Sequence, residues 1–547
     1  MNFKTSVRLL AAFAAALLSG ASCVTVDENL GKDLIATDQM FDIHTAEIPL
    51  SGIRMEMADS LSGLSSKRIT LGAIRDADFG LTTRSCVLTL LPAFEELDYG
   101  TDPVFQSMHF SAALDTVSVA TDADRYLLQN VRVYELAGPV DLTKARTNSV
   151  IDHKGELITD GPIVFGGTDS LAFDFSRSFG ERYMTITAED TDTLPNFTKR
   201  FPGLYLEMEP PTGNGGRINL FQLSCLTYSS SYGSYLLNGN CVRLKFNAEY
   251  DGVRKDTSFV FIYGEPDFLD EATYIENKQR FPQYAYNITG HETRPQAGLA
   301  GSDLFVEGGG GLKPVIDAAA LLQAAQNEIR RYGDPSKSII SRAQLNLPFD
   351  YDGDYEALGT FFPPVLSPTC RIISDSGASF AGLSDASASD EDQGSLHRDR
   401  LCYAPDIAHH LQHLLRMEDT SDLSNFDIWL LVMANETETT ENTSSNSDYY
   451  QNLAYYSYLN SLYNGYGYGG YGYGYGGYGY GGYGGYNSYY NYYNYAMMAA
   501  MMSSSSSSTT TSTELDRDRY YRAKLLGPTA AGDRVPTLSI TYAIPKE

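Results

Sequence analysis

The chain has 547 residues, 43% of them hydrophobic, and a formal net charge of −28. That length and apolar content support more than one core, or one large core with insertions. The charge excludes a nucleic-acid partner, whose phosphates would repel it, and opposes docking on anionic lipid headgroups.

Residues 1–22 read as a lipoprotein signal peptide. Met1, Lys4 and Arg8 make a short basic start, and Leu9 through Leu18 form an apolar run too short for a lasting membrane span. Ser19, Gly20, Ala21 and Ser22 then lead in small steps to Cys23. The expectation is acylation of the Cys23 thiol, with residues 23–40 as a tether and the acyl chains as the membrane contact. Gly20 stands where such signals usually carry leucine, so plain secretion after cleavage near Ala21 is the rival reading. The expected localisation is the cell envelope, as an outer-membrane lipoprotein, with exposure at the cell surface one option.

Residues 41–265 read as a β-rich domain. Val131, Val133 and Leu136 alternate with polar partners, as do Leu204, Leu206 and Met208, and then Val242, Leu244 and Phe246. An Asp251-Gly252 turn leads to Phe259, Phe261 and Tyr263. Period-two spacing puts one face on a core and the other in water, and frequent turns between such strands predict antiparallel sandwiches.

Residues 266–547 read as a second β-rich domain with one covering helix over 316–332. Leu321, Leu322, Ala325 and Ile329 share a stripe, Asp317 opens the helix and Gly333 ends it. Phe426–Ala434 and the alternating Leu538, Ile540, Tyr542 and Ile544 predict strands. Between them lies a low-complexity insertion, 436–516. Its centre, Gly465–Tyr486, is almost purely Gly and Tyr, which cannot build a core, so a long disordered loop extruded from a hairpin is expected.

Six cysteines leave five if Cys23 is acylated. Cys225 with Cys241, and Cys370 with Cys402, flank turns that disulfides could close in an oxidising envelope; buried free thiols are the equal alternative. Cys86 falls in an apolar strand pattern.

Chemical constellations are few. Asp350, Asp352, Asp354 and Glu356 alternate on a Gly-containing loop and are the best candidates for a hard cation, calcium above all, although a plain acidic turn explains them as well. His409, His410 and His413 share a helical pattern without the Glu of a metalloprotease. Gly308–Gly311 before Lys313 imitates a phosphate loop, but Leu312 and Pro314 break the pattern. Ser379 lacks the strand–turn–helix context of a nucleophile elbow. No catalytic residue and no resident cofactor is assigned.

Several stretches together resemble a known family. These are Leu71-Gly72 through Thr83, Asn130 through Leu136, Phe201-Pro202-Gly203-Leu204-Tyr205, the Gly308 turn and its helix, Ser341 through Pro348, and Val535 through Tyr542. In that order, behind a lipoprotein leader, they resemble the Bacteroidetes lipoprotein family described as domain of unknown function 4270. The resemblance implies a β-rich outer-membrane or surface lipoprotein and carries no catalytic site. The expected function is a non-enzymatic, lipid-anchored binding or structural protein, with a glycan or a surface protein as partner. The alternatives are a glycan-active enzyme, whose carboxylate pair the sequence does not single out, and an adhesion or assembly subunit acting through the Gly/Tyr tract.

Overall fold

The computed structural model describes residues 40–546 except 60, 66, 94–96, 142–143, 225, 230–233, 238, 264–284, 293–297, 352, 354, 375–376, 388–393 and 441–507. The protein is mainly β, built from antiparallel sheets around two large cores.

The first body is a fourteen-stranded sheet. Gly80–Leu88, Arg68–Asp76 and Gly215–Gln222 run side by side at its middle. Val131 and Phe165 from one end of the sheet share a core with Leu244, Phe246 and Phe259 from the other, so the sheet folds back on itself. The 19-residue strand Thr101–Val119 makes that return possible. Register shifts interrupt its pairing with two of its three partner strands, and bulges of this kind bend a strand and sharpen its twist. The Asp251-Gly252 turn forms as expected, with φ of 53° and 77° joining Tyr250 to Val253 in a tight hairpin.

The second body packs a five-stranded sheet against a seven-stranded one. The five-stranded sheet runs Phe41–Pro49, Thr537–Pro545, Ile339–Pro348, Cys402–Tyr403, Leu396–His397. Its strand Thr537–Pro545 buries Leu538, Ile540, Tyr542 and Ile544 in the alternation the sequence shows. The seven-stranded sheet is centred on Ile428–Thr440, whose Ile428, Leu430 and Val432 join the same core.

Four expectations need correction. The boundary at 265 does not divide the two bodies: Phe41–Pro49 and Ile53–Met57 pair within the second, and Ala285–His291 pairs with Gly80–Leu88 in the first. Open sheet edges recruit strands from far along the chain, a choice that local periodicity does not encode. The helix spans Ala318–Ile329 rather than 316–332, because Ile316 completes a strand and Asp317 caps the helix by accepting from the Ala320 amide at 2.7 Å. It is not the only covering helix. Ala408–Arg416 buries His410, Leu411, Leu414 and Leu415 against the same core. Finally, the insertion is shorter at both ends. Ile428–Thr440 and Ser508–Leu515 pair from Met433↔Leu515 to Thr440↔Ser508, so the polar Thr/Glu and Ser/Thr flanks form a hairpin. The Gly/Tyr tract itself lies outside the described residues.

Candidate functional site: a buried charged seam

Ionisable side chains converge where the two bodies meet. Arg84, on Gly80–Leu88, is 1% exposed. Its Nη1 donates to Thr289 Oγ1, while its Nε and Nη2 have no hydrogen-bond partner. Burial lowers its pKa, and the nearby Asp516, Glu307 and Asp518 oppose that shift. A buried guanidinium survives only beside such counter-charge.

The carboxylates come from the second body. Glu307 ends the strand Asp303–Glu307 and accepts from Thr82 Oγ1 at 2.7 Å and from the Leu312 amide at 3.3 Å. Asp518 accepts from Ser65 Oγ and Asn287 Nδ2, each at 3.2 Å and each from the first body. Burial raises the Asp518 pKa. It also raises that of Asp516, with help from the Asp518 charge, to about 7. Asp516 Oδ1 accepts from the Arg519 amide at 3.2 Å, while Oδ2 has no partner.

A second knot lies beside the first. Arg68 grips Glu436 with two parallel bonds of 2.9 Å and reaches Asp115 at 2.6 Å. Arg519 donates to the same Glu436. Burial would raise the Glu436 pKa, but the hydrogen bonds from Arg68 and Arg519 outweigh it and pull the carboxyl down to about 2. Bidentate arginine geometry is the strongest form of this contact. Farther along the segment, Arg522 pairs with Asp76 and donates to the Ala120 carbonyl at 3.0 Å. Residues 516–522 therefore act as a charged stitch between the sheets.

The four glycines are explained here. Gly309 has a φ of +58°, and a Cβ there would sit 2.4 Å from Arg84 Nη1. At Gly308 a Cβ would meet the Arg519 carbonyl at 2.5 Å. Lys313, 1% exposed, donates Nζ to the Glu307, Gly309 and Gly311 carbonyls, the latter two at 3.0 and 3.2 Å. A phosphate loop offers backbone amides to an anion; this turn offers carbonyls to its own ammonium. Gly309→Ala is expected to destabilise the fold by about 1–3 kcal/mol, since alanine is disfavoured at positive φ and has no room. A chemical-denaturation midpoint equal to that of the unsubstituted protein would refute this close-approach argument.

At the rim of the seam is one cleft of about 200 Å³, lined by Thr116, Ser118, Phe361, Arg519, Tyr520 and Tyr521 among others. Ligand pockets generally run to several hundred Å³, so this space suits at most a small group.

The residues singled out from sequence are scattered by comparison. Asp350 is exposed, with Arg534 Nη1 3.5 Å away. Asp352 and Asp354 lie outside the described residues, and so does the side chain of Glu356. Among the described residues no group of three His, Cys, Asp or Glu side chains is placed to hold a metal ion. His409 faces Ser384 at 3.3 Å, whereas His410 is buried against the Phe426 carbonyl at 3.0 Å. Burial and the two neighbouring histidines lower the His410 pKa to about 4. Asp385 caps this helix by accepting from the His409 and His410 amides at 2.6 and 3.0 Å.

The Cys370–Cys402 bridge is not formed. The two cysteines are buried free thiols on strands of different sheets, and burial pushes the Cys370 thiol up to about 12. Cys241 and Cys86 are likewise buried and free, while Cys225 and Cys23 lie outside the described residues. No described helix is long and apolar enough to cross a membrane.

No family model, no curated protein and no solved structure matches the chain. The sequence gives little local sign of the seam, because its parts are far apart along the chain. Its one local signal is Asp516-Arg517-Asp518-Arg519 before Tyr520-Tyr521, an alternation of charge directly behind a polar strand.

Proposed function

We propose that the protein is a non-enzymatic cell-envelope component, anchored through acylated Cys23, that serves as a rigid β platform for binding or structure. The observation carrying this reading is the seam. The fold brings its ionisable groups together in burial and satisfies most of them with each other, which suits welding two bodies rather than handling substrate. The leader sequence supports the anchor. With no family model matching, the likeness to the Bacteroidetes lipoprotein family enters only as a further proposal. A glycan-active enzyme would need two carboxylates facing an open cleft, whereas Glu307 and Asp516 are 1% and 5% exposed.

Two measurements test the reading. Cys23→Ser is expected to move the protein from the membrane pellet to the soluble fraction, with loss of the acylated N-terminal peptide by mass spectrometry. The chain from Val24 onward, incubated with a panel of polysaccharides, is expected to release no reducing ends. Turnover of any of them would overturn the non-enzymatic part, and an unmodified native Cys23 would overturn the anchor.

One observation favours a second reading, adhesion or assembly through the Gly/Tyr tract. Thr440 and Ser508, which flank residues 441–507 in the chain, are register partners at one end of their strand pair. Deleting 441–507 should therefore leave the body folded and abolish surface adhesion; undiminished adhesion would remove the idea.

A further inference from the structure

The five-stranded sheet ends in a long open edge. Its outermost strand, Phe41–Pro49, runs for nine residues and pairs on one side only, with Thr537–Pro545. No other described strand bonds to its outer side. The opposite edge of the sheet is the two-residue strand Leu396–His397, and the fourteen-stranded sheet ends in the three-residue strands Ile163–Phe165 and Leu90–Pro92. Short edges are one way in which proteins avoid pairing with other chains, and lysines, bulges and prolines are others. Phe41–Pro49 has no lysine, no register shift and no proline before its last residue. It is a template for one more strand.

The main chain restricts how that strand can bind. The Leu50 amide donates to the Pro536 carbonyl and the Lys546 amide to the Met40 carbonyl, each at 2.9 Å. Even-numbered residues therefore bond toward Thr537–Pro545, and alternation points the main-chain groups of Phe41, Ile43, Thr45 and Glu47 outward. A second copy of the strand can meet this odd-numbered set, antiparallel about a two-fold axis.

Side chains choose among the registers that the odd-numbered set allows. Centred on Thr45, the pairing puts Asp42 opposite Ile48 and Glu47 opposite Ile43. Centred on His44, it puts His44 opposite itself and Asp42 opposite Ala46. Centred on Asp42, it opposes two carboxylates, which is destabilising. Centred on Ile43, it sets Asp42 against His44 of the second copy, and His44 against the second copy's Asp42. Those are non-hydrogen-bonded pairs, whose Cα atoms lie about 4.5 Å apart and whose side chains meet most closely. Lys546 holds Asp42 Oδ1 at 2.9 Å, which leaves Oδ2 for the imidazole, and the His44 ring is steadied by stacking on Tyr332 at 4.0 Å. On the other face Ile43, 73% exposed, packs beside its own copy, and Phe41 falls opposite Thr45. Glu47 lies beyond the paired segment.

We infer that the protein forms a two-fold dimer through the outer edge of Phe41–Pro49, centred on Ile43, which joins two five-stranded sheets into one continuous sheet. Five residues a side make a small interface, so the association is weak and transient. The inference is independent of the leader and of the acyl anchor.

Sedimentation equilibrium of the chain from Val24, carried into the high micromolar range, tests it. The unsubstituted chain is expected to show a reversible monomer–dimer equilibrium. Ile43→Lys sets two ammonium groups face to face across the two-fold axis and should weaken association at least about tenfold, with the circular-dichroism spectrum unchanged. Leu128→Lys, at an exposed apolar position on another sheet end (70% exposed), should leave the equilibrium as it is. Ile43→Cys should oxidise to a covalent dimer whose linked peptides both carry residue 43, because facing Cα atoms about 5.5 Å apart suit a disulfide. Glu47→Cys, on the same edge but far from its copy in this register, should not link to itself. A monomer throughout the concentration range, a dimer that Ile43→Lys leaves intact, or linking at position 47 as efficient as at 43 overturns the inference.

Discussion

Arg84→Met is expected to lower folding stability by about 3–5 kcal/mol, the usual cost of removing one partner from a buried charge cluster. The methionine side chain fills similar volume, so the loss reports charge rather than a cavity. Without the guanidinium, Glu307, Asp516 and Asp518 stay buried in the seam with weaker compensation, and Thr289 loses a donor. The second variant isolates the cause. Arg84→Met combined with Asp516→Asn removes one cation and one carboxylate and should recover part of the loss, because contacting charges are not additive. Urea titration followed by the Trp429 fluorescence and by far-ultraviolet circular dichroism measures both. A single variant within about 1 kcal/mol of the unsubstituted protein would mean that solvent, not Arg84, compensates the carboxylates.

How much of this was legible in the sequence depends on distance along the chain. The strands Leu204–Met208, Cys241–Tyr250 and Thr537–Pro545 could be read directly, because alternation of apolar and polar residues is a local property and burial enforces it. Pairing partners could not. Phe41–Pro49 lies beside Thr537–Pro545, and Gly80–Leu88 beside Ala285–His291, across hundreds of residues. The histidine spacing already suggests the helix Ala408–Arg416, but spacing does not show that of the three only His410 faces the core. The seam was hidden for a further reason. Arg84 follows Thr82 and Thr83 in what reads as an ordinary strand, and nothing nearby announces that its partners are Glu307 and Asp516. The tetraglycine turn was conspicuous but ambiguous, since glycine marks close backbone approach whether the neighbour is a phosphate or, as here, a buried arginine.

The second large effect is a pH dependence whose two sides have separate origins. Asp516 has its folded pKa raised from 3.8 to about 7, so the native state retains a proton that the unfolded chain releases between those values. Its contribution is fully present below about 4 and is lost as pH rises through 7. Asp518, also raised, acts in the same direction. Glu436 is opposite in sign. Its pKa falls from 4.5 to about 2, so its contribution is complete above 4.5 and disappears as pH drops through 2. His410, buried neutral with its pKa lowered from 6.5 to about 4, likewise weakens the fold as pH falls from 6.5 through 4. Stability should therefore peak in mildly acidic solution. From pH 5.5 to 6.5 the Asp516 loss and the His410 gain nearly cancel, each being up to about 1.4 kcal/mol per pH unit, so the decline falls mainly between pH 6.5 and 8 and amounts to roughly 0.5–1 kcal/mol. Asp516→Asn removes that proton and should flatten the alkaline limb while leaving the acid limb, governed by Glu436 and His410, in place. Urea midpoints at pH 4, 5.5, 7 and 8 for both proteins decide the matter. An alkaline decline as steep in Asp516→Asn as in the parent would assign the effect to another group in the seam, Asp518 first.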